Sequence, residues 1–401
     1  MNLFNFKPKW LRVEQPVPTL VVAPEPSEDG SLFKAPVTSI LKIEPHNNAE
    51  RLELAFCYGF QIIVQKGRYQ PGSKILYVPV DSVIPEWLDA KLFPVGSKVK
   101  LDKRRVRQIR LRGLASQGMI VDLQDVAEKV NPEYLVLEQD LSKVLDIQKY
   151  EPPSRKDTSQ KPGTPRNKKL ENPRFHQYGG IDNIKWYPTL FDGKDVVIQE
   201  KLHGSNCRAS YAKTIPNTLW KKVLNFFGKL PTYEYCYGSN RVQLQEKRKK
   251  SGFYDGDVYG DVLRKVGAFE KLQPGETIYG ELIGPGIQKG YDYGHTAHHF
   301  VLFDVKVERT DGSQEYLDPD DAESYAKERG FTFVPVLYRG IYNQEFAKQL
   351  ASGPSVYSEC EKVREGIVVK IRQGYGQNGS KQALKMINEQ YLDDASNTDN
   401  H

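Results

Sequence analysis

The chain has 401 residues, room for two or three domains at roughly 100–200 residues each. Hydrophobic residues make up 39% and charged residues 27%, an ordinary balance with enough apolar material for real cores. No apolar run approaches the ~20 residues that cross a bilayer, so a membrane protein is not expected. Lys and Arg total 57 against 51 Asp and Glu, a formal charge of +6 that favours a polyanionic partner without proving one.

Met1 to Val13 alternates aromatic and basic residues and lacks the continuous apolar stretch of a signal peptide. Residues 1–32 read as an appendage, because Gln15 to Gly30 is rich in Pro, Glu and Ser. Val37 to Ile43 is strand-like, Ala55 to Val64 is a β-branched and aromatic run, and Lys74 to Val80 alternates towards Tyr77 and Val78. Pro71-Gly72 and Pro94-Val95-Gly96 supply turns. Several short strands at this spacing argue for a small β-barrel over 33–150. The four cysteines, Cys57, Cys207, Cys236 and Cys360, are scattered and suggest neither zinc knuckle nor disulfide scaffold. Reduced thiols in an intracellular compartment, cytoplasmic or nuclear, are expected.

Lys98 to Arg112 holds eight basic residues and a lone acid, Asp102. In Arg105-Val106-Arg107 and Arg110-Leu111-Arg112 the arginines alternate with apolar residues, which on a strand places the guanidinium groups on one face. Either this is an edge strand protected by charge or a phosphate-contacting face. From Glu151 to Arg174 five prolines accompany seven basic and three acidic residues, marking a linker that is either a spacer or a backbone contact for nucleic acid. Strands and short helices then alternate to about Leu392, and a polar tail, 393–401, follows.

Val196 to Gln199 reads as a buried strand running into Glu200-Lys201-Leu202-His203-Gly204-Ser205-Asn206. A lysine at a strand end before a glycine turn suits a nucleophilic amine facing phosphate, provided its proton can be removed. Alone, Lys-x-x-Gly is weak. Four further segments follow in order: Ser239-Asn240-Arg241, Tyr279-Gly280-Glu281, Phe303-Asp304, and the pair Glu365-Gly366-Ile367-Val368-Val369-Lys370 with Leu384-Lys385. Carboxylates inside apolar strands need partners or a metal, and several together point to a convergent site for a nucleotide and a divalent cation.

This ordered set resembles the motifs of covalent nucleotidyltransferases, and within them ATP-dependent RNA ligases. The pair His203-Gly204 after the lysine is of the RNA ligase 2 type, where DNA ligases and capping enzymes normally carry Asp-Gly. Ile43 to Glu53 and Arg110 to Gly118 resemble tRNA-binding OB modules, and an OB module placed before the catalytic domain resembles the Deinococcus-type RNA ligases. The resemblance implies an α+β chain: an OB barrel, then an ATP-grasp-like antiparallel sheet forming the ligase domain over 175–392.

It also implies roles. Lys201 would take AMP from ATP, with Glu200, Leu202, Asn206, Arg241, Glu281, Phe303, Lys370 and Lys385 binding the nucleotide. Asp304 and Glu365 would hold Mg²⁺ or Mn²⁺, and His203 would lie near the α-phosphate or the nick. Arg105, Arg107, Arg110 and Arg112 would contact the RNA, either a nicked duplex or an RNA–DNA hybrid, and the protein would act as a monomer. One departure is Ile387, where the last motif commonly carries a second lysine, so Lys385 would work alone or with Lys370 or Lys381. The rival readings are a non-catalytic RNA-binding protein with a degenerate ligase domain, a DNA ligase or a capping enzyme. His295, His298 and His299 are read as loop polarity in preference to zinc, and Gly284 to Gly290 as a turn in preference to a phosphate loop. Glu246 to Lys250 reads as a solvated loop or a nucleic-acid contact near Arg241.

Overall fold

The computed structural model describes residues 33–97, 100–150, 171–244, 256–376 and 381–393. The amino-terminal segment 1–32, Lys98, most of the proline-rich linker, Glu246 to Lys250 and the tail beyond residue 393 lie outside the described residues.

The first unit contains β1 (Val37–Ser39), β2 (Lys42–Pro45), β3 (Leu52–Cys57), β4 (Phe60–Gln65), β5 (Lys74–Val78) and β6 (Ser82–Val83). Helix α1 (Glu86–Leu92), β7 (Ile109–Leu111), β8 (Leu114–Ser116), β9 (Met119–Val121), α2 (Ser142–Leu145) and β10 (Gln148–Lys149) follow. The run from Ala55 to Val64 is two strands, not one. Tyr58 and Gly59 both take positive φ, 50° and 73°, and make the two-residue turn that joins β3 to β4. Tyr58 is held there by its hydroxyl, which donates to Glu138 at 2.6 Å. A tyrosine in this position carries little turn signal, which is why the pattern reads as continuous.

Strand β5 is buried on both faces because its side chains alternate. Ile75 and Tyr77 join Ala55, Cys57, Phe60 and Ile62 in one core, while Leu76 and Val78 join Val37, Leu88, Val121 and Leu145 in another. Each such side chain taken from water contributes roughly 1.5–3 kcal/mol, so this strand ties the barrel together.

The second unit begins with β11 (Asp182–Asn183), β12 (Asp195–Lys201), β13 (Ser205–Lys213), α3 (Leu219–Phe226), β14 (Tyr233–Ser239), α4 (Val258–Lys265) and α5 (Ala268–Lys271). It continues with β15 (Thr277–Ile283), β16 (His299–Glu308), β17 (Gln314–Tyr316), α6 (Pro319–Arg329) and β18 (Val336–Ile341). It closes with α7 (Gln344–Ala351), β19 (Gly366–Ile371), β20 (Ala383–Ile387) and α8 (Glu389–Asp393). Two five-stranded sheets result, ordered β11-β20-β19-β12-β18 and β14-β13-β15-β16-β17. Their strands pair antiparallel, except β11 with β20.

Each sheet buries its outer face under helices. Val196, Ile198, Ile367, Val369, Leu384 and Met386 pack with Ala347 and Ala351 of α7. Cys207, Ile278, Leu282 and Leu302 pack with residues of α4, α5 and α6. The inner faces meet through Tyr178, Tyr279, Phe303, Val368 and Tyr375. This is α+β architecture, helices outside and antiparallel sheet inside. Trp186, just after β11, inserts its ring among Tyr58, Phe60 and Tyr77 at centroid distances of 4.8, 5.5 and 5.7 Å and docks the barrel on the two-sheet unit.

Candidate active site

Lys201 ends β12, whose apolar residues Val196 and Ile198 anchor the strand in the outer core. Its Nζ lies 2.5 Å from Glu365 Oε1, with the lysine almost buried and the glutamate wholly so. The chain then turns through Leu202-His203-Gly204. A Cβ at Gly204 would sit 2.4 Å from the carbonyl oxygen of Leu282 and 2.8 Å from Glu281 Cγ, so only glycine lets this turn press against β15. Gln288, in the segment Gly284 to Gly290, donates to the Gly204 carbonyl at 2.8 Å, so that loop braces the turn after Lys201.

Strand register fixes what faces the cleft. Lys201 pairs with Gly366, which pairs with Ile387, while Gln199, Val368 and Lys385 make the next row, and Val197, Lys370 and Ala383 the third. A Cβ on Gly366 would meet the Met386 carbonyl at 2.2 Å, so no side chain stands between Lys201 and Ile387. Lys385 is buried in the second row.

His203 is buried. Its amide donates to the Tyr293 hydroxyl at 2.6 Å, its Nδ1 is 3.0 Å from the Tyr391 hydroxyl, and the same nitrogen is 4.0 Å from Glu365 Oε2. Leu202 joins Ile283, Tyr293 and Val301 in a small apolar wall against which Phe303 packs. Asn206 pairs with Glu281 across β13 and β15, and its Oδ1 is buried with no hydrogen-bond partner. An oxygen left so costs roughly 1–3 kcal/mol, which a ligand hydroxyl or amine would recover. Burial pushes the Glu281 carboxyl up to about 8, against the pull of Lys201 and with the repulsion of Glu365. Burial also raises Glu200, whose Oε2 accepts the Val356 amide at 2.9 Å and faces Arg364 at 3.7 Å.

Phe303 and Asp304 are consecutive yet both face inward. Tyr279 pairs with Asp304 and Gly280 with Leu302, leaving Phe303 as the extra residue of a β-bulge in β16. Phe303 packs in both inner clusters. Asp304 is fully buried: Oδ2 accepts the hydroxyls of Tyr178 at 2.5 Å and Tyr375 at 2.8 Å, and Oδ1 lies 3.0 Å from Lys370 Nζ. Lys370 also donates to the Phe303 carbonyl at 2.7 Å. Burial lowers the Lys370 ammonium, and Asp304 opposes that shift. Asp304 Oδ2 is thus taken by two phenols, while Oδ1 faces the Lys370 ammonium and has no hydrogen-bond partner among the described residues. Lys370 is turned to Asp304, whereas a phosphate contact was expected. Lys381 lies 3.1 Å over the Tyr178 ring, with burial holding its ammonium well below the usual lysine range.

Arg241 is exposed just beyond β14, and its neighbour Asn240 accepts the Tyr178 amide at 2.8 Å. In the barrel the four arginines separate. Arg105 is buried, its Nε 2.8 Å from Asp81 Oδ1 and its guanidinium 3.8 Å over the Tyr150 ring, so it does not share an outer face with the rest. The cause is backbone: a short helical turn, Asp102–Arg104, breaks the expected alternation before β7. Arg107 pairs with Asp102 at 2.9 Å, Arg110 with Asp393 at 2.6 Å, and Arg112 is exposed at the β7–β8 turn. His295 Nδ1 is 3.3 Å from Glu359, and its ring stacks on His299 at 4.3 Å. Among the described residues no group of three or more His, Cys, Asp or Glu is placed to hold a metal.

The tyrosines Tyr178, Tyr293, Tyr375 and Tyr391 escaped sequence reading, because a buried phenol serving a carboxylate or imidazole has no spacing signature.

The described residues thus place a lysine at a strand end, braced against a buried glutamate between two antiparallel sheets and preceded by a small barrel. Residues 194–387 match the RNA ligase family and residues 34–123 match an OB-fold domain. The fold is similar to that of Naegleria gruberi RNA ligase in several solved forms. A point mutant with ATP and Mn is 23% identical with a TM-score of 0.69, covering 90% of this chain and 98% of that one. The form with pyrophosphate is 24% identical at 0.68, covering 89% and 97%. A mutant with AMP and Mn is 23% identical at 0.69, also covering 89% and 97%. Residues 194–387 thus form an RNA ligase domain, preceded by an OB-fold domain over 34–123.

Proposed function

We propose that Lys201 is the amine that becomes AMP-linked, and the observation that carries this reading is its 2.5 Å contact with the buried Glu365 carboxylate. Attack requires a neutral amine, and a lysine ammonium ordinarily loses its proton only near ~10.4. The proton that must leave already points at Glu365. The nitrogen then bonds to the α-phosphorus of ATP as the bond to pyrophosphate breaks. AMP passes next to the 5′-phosphate of an RNA end. A 3′-hydroxyl attacks that activated phosphate, forming the phosphodiester and releasing AMP.

Phe303 and Leu202 offer an apolar wall for the adenine, Glu200 its polar edge and Glu281 the ribose contact, with Asn206 and His203 near the α-phosphate or the nick. Arg241 and Lys385 supply phosphate contacts, with Lys370 acting through Asp304 and Phe303. The oxygen donors Asp304 and Glu365 are those we assign to a hard divalent ion, Mg²⁺ or Mn²⁺, whose remaining ligands would be water and phosphate. Such an ion, when bound, neutralises charge on the phosphates. The OB module, through Arg107, Arg110 and Arg112, would hold the RNA backbone. We place the units at 33–150 and 175–392, with 1–32 as appendage, 151–174 as linker and 393–401 as tail. A nicked duplex or RNA–DNA hybrid as substrate, a role in RNA repair and a monomeric state complete the proposal. Four free cysteines, three of them buried, support a reducing location, cytoplasmic or nuclear. No described helix is long and apolar enough to cross a membrane.

The test is a denaturing gel after mixing the protein with α-labelled ATP and a divalent ion, beside Lys201→Ala. Label on the wild type alone is expected. Label from GTP but not ATP would favour a capping enzyme, and none from either would favour an RNA-binding relic.

A further inference from the structure

Helix α8 lies between the barrel and the turn that follows Lys201 and touches both, the latter through His203. On the barrel side, Gln108 Nε2 donates to the Glu389 carbonyl and to Asp393 Oδ1, each at 3.2 Å. Gln117 Nε2 donates to Glu389 Oε1 at 3.2 Å, and Arg110 Nε to Asp393 Oδ2 at 2.6 Å. Both glutamines are buried, whereas Glu389, Asp393 and Arg110 are exposed, so the clasp joins buried donors of the barrel to the outer rim of the helix.

On the site side, Asn388 leads into the helix. Its amide donates to the Glu365 carbonyl at 2.9 Å and its carboxamide to the Arg364 carbonyl at 3.1 Å, which fixes the backbone carrying Glu365. Tyr391 is 1% exposed, and its hydroxyl meets His203 Nδ1 at 3.0 Å. Its ring stands edge-on to His203 and Tyr291 at 5.4 and 5.7 Å. The same imidazole nitrogen is 4.0 Å from Glu365 Oε2, whose partner oxygen holds Lys201.

We propose that Tyr391 is a positioning residue that orients His203 beside Glu365, and that the OB module, by clasping α8, sets this orientation. The barrel thereby acts on the lysine as well as on RNA. The inference rests on the reading of Lys201 as nucleophile. A five-residue helix cannot hold itself in place, because so short a helix is marginal in water. Its position must come from what it docks on, and the described polar contacts on one flank all come from the barrel or from Lys185 beside Trp186.

The experiment measures single-turnover labelling of the full-length protein by α-labelled ATP with no RNA present, so that RNA contacts do not enter. Wild type, Lys201→Ala, Tyr391→Phe, Asp393→Asn and the double variant Tyr391→Phe/Asp393→Asn are compared. Tyr391→Phe is expected to slow labelling roughly tenfold, and Asp393→Asn roughly threefold, the range of couplings through packed contacts. The double variant should be no slower than Tyr391→Phe alone, because both changes act through one hydroxyl. In protein labelled at histidine nitrogen, the His203 Nδ1 resonance should move in both single variants. Wild-type rates in either single variant, or slowing in the double equal to the product of the singles, would overturn the proposal. So would an unmoved His203 resonance, a readout that general loosening of the fold does not mimic. If wild type and Lys201→Ala label alike, the nucleophile assignment fails instead.

Discussion

Ile387 stands directly across Gly366 from Lys201, in one row over β12, β19 and β20. Two strand spacings, roughly 9–10 Å, separate the two backbones, and the glycine leaves the gap open. A lysine at 387 would therefore extend towards Lys201. Ile387→Lys should shift the pH–rate profile of lysine labelling to lower pH, because a second cation disfavours protonated Lys201. Stopped-time labelling from pH 6 to 10 reads this, and an unmoved profile would show that the residue points elsewhere.

The Lys201–Glu365 pair also has a stability consequence. Lys201→Ala leaves a buried carboxylate without its cation, a loss of about 3–5 kcal/mol. Adding Glu365→Gln removes the stranded charge and should recover much of that loss without restoring labelling. Urea unfolding of the two variants makes the comparison. Equal stability of single and double variants would mean that water or His203, whose Nδ1 lies 4.0 Å from Glu365 Oε2, already compensates the charge.

Glu281 is held near 8 by burial, above its ordinary value of 4.5. A raised carboxyl favours the protonated folded state, so its contribution is fully present below about 4.5 and is lost as pH rises through about 8. Relative to Glu281→Gln, the wild type should thus lose about 1–2 kcal/mol between pH 5 and pH 9, reduced from the full shift by its access to the cleft. Melting temperatures of the two proteins across that range test it, and a constant difference would refute it.

In the barrel, Arg105 and its neighbours should part company. Arg105→Ala strands the buried Asp81 and should cost about 3–5 kcal/mol. Arg107→Ala and Arg112→Ala should change stability by less than about 0.5 kcal/mol. Each should instead lower RNA affinity and reduce the salt slope of binding by about one. Denaturant melts beside a salt titration of RNA binding separate the two behaviours.

Much of the site could be read from the order of its motifs. Lys201, Glu281, Phe303, Glu365 and Lys385 come from distant stretches, and the register of two sheets brings them to one cleft. What stayed hidden was direction. Nothing in Phe303-Asp304 announces a bulge, so the partner of Asp304 could not be foreseen. Arg105 reads as part of a strand, yet a three-residue helical turn rotates it inward. Tyr391 lies only four residues beyond β20, and its role depends on α8 folding back over His203, which no local pattern encodes. The hairpin at Tyr58-Gly59 was missed because a tyrosine seldom adopts positive φ.

The extra residue at Phe303 also sets a rule for how this strand tolerates change in length. Removing one residue there would bring back simple up-and-down alternation. One side of the deletion would then be turned over, sending either the ring or the carboxylate into the greasy layer beneath α4 and α6. Lys370 would lose its counter-ion or the apolar wall around Leu202 its floor. Substitutions along this stretch act one side chain at a time, whereas a single deletion strikes two functions together.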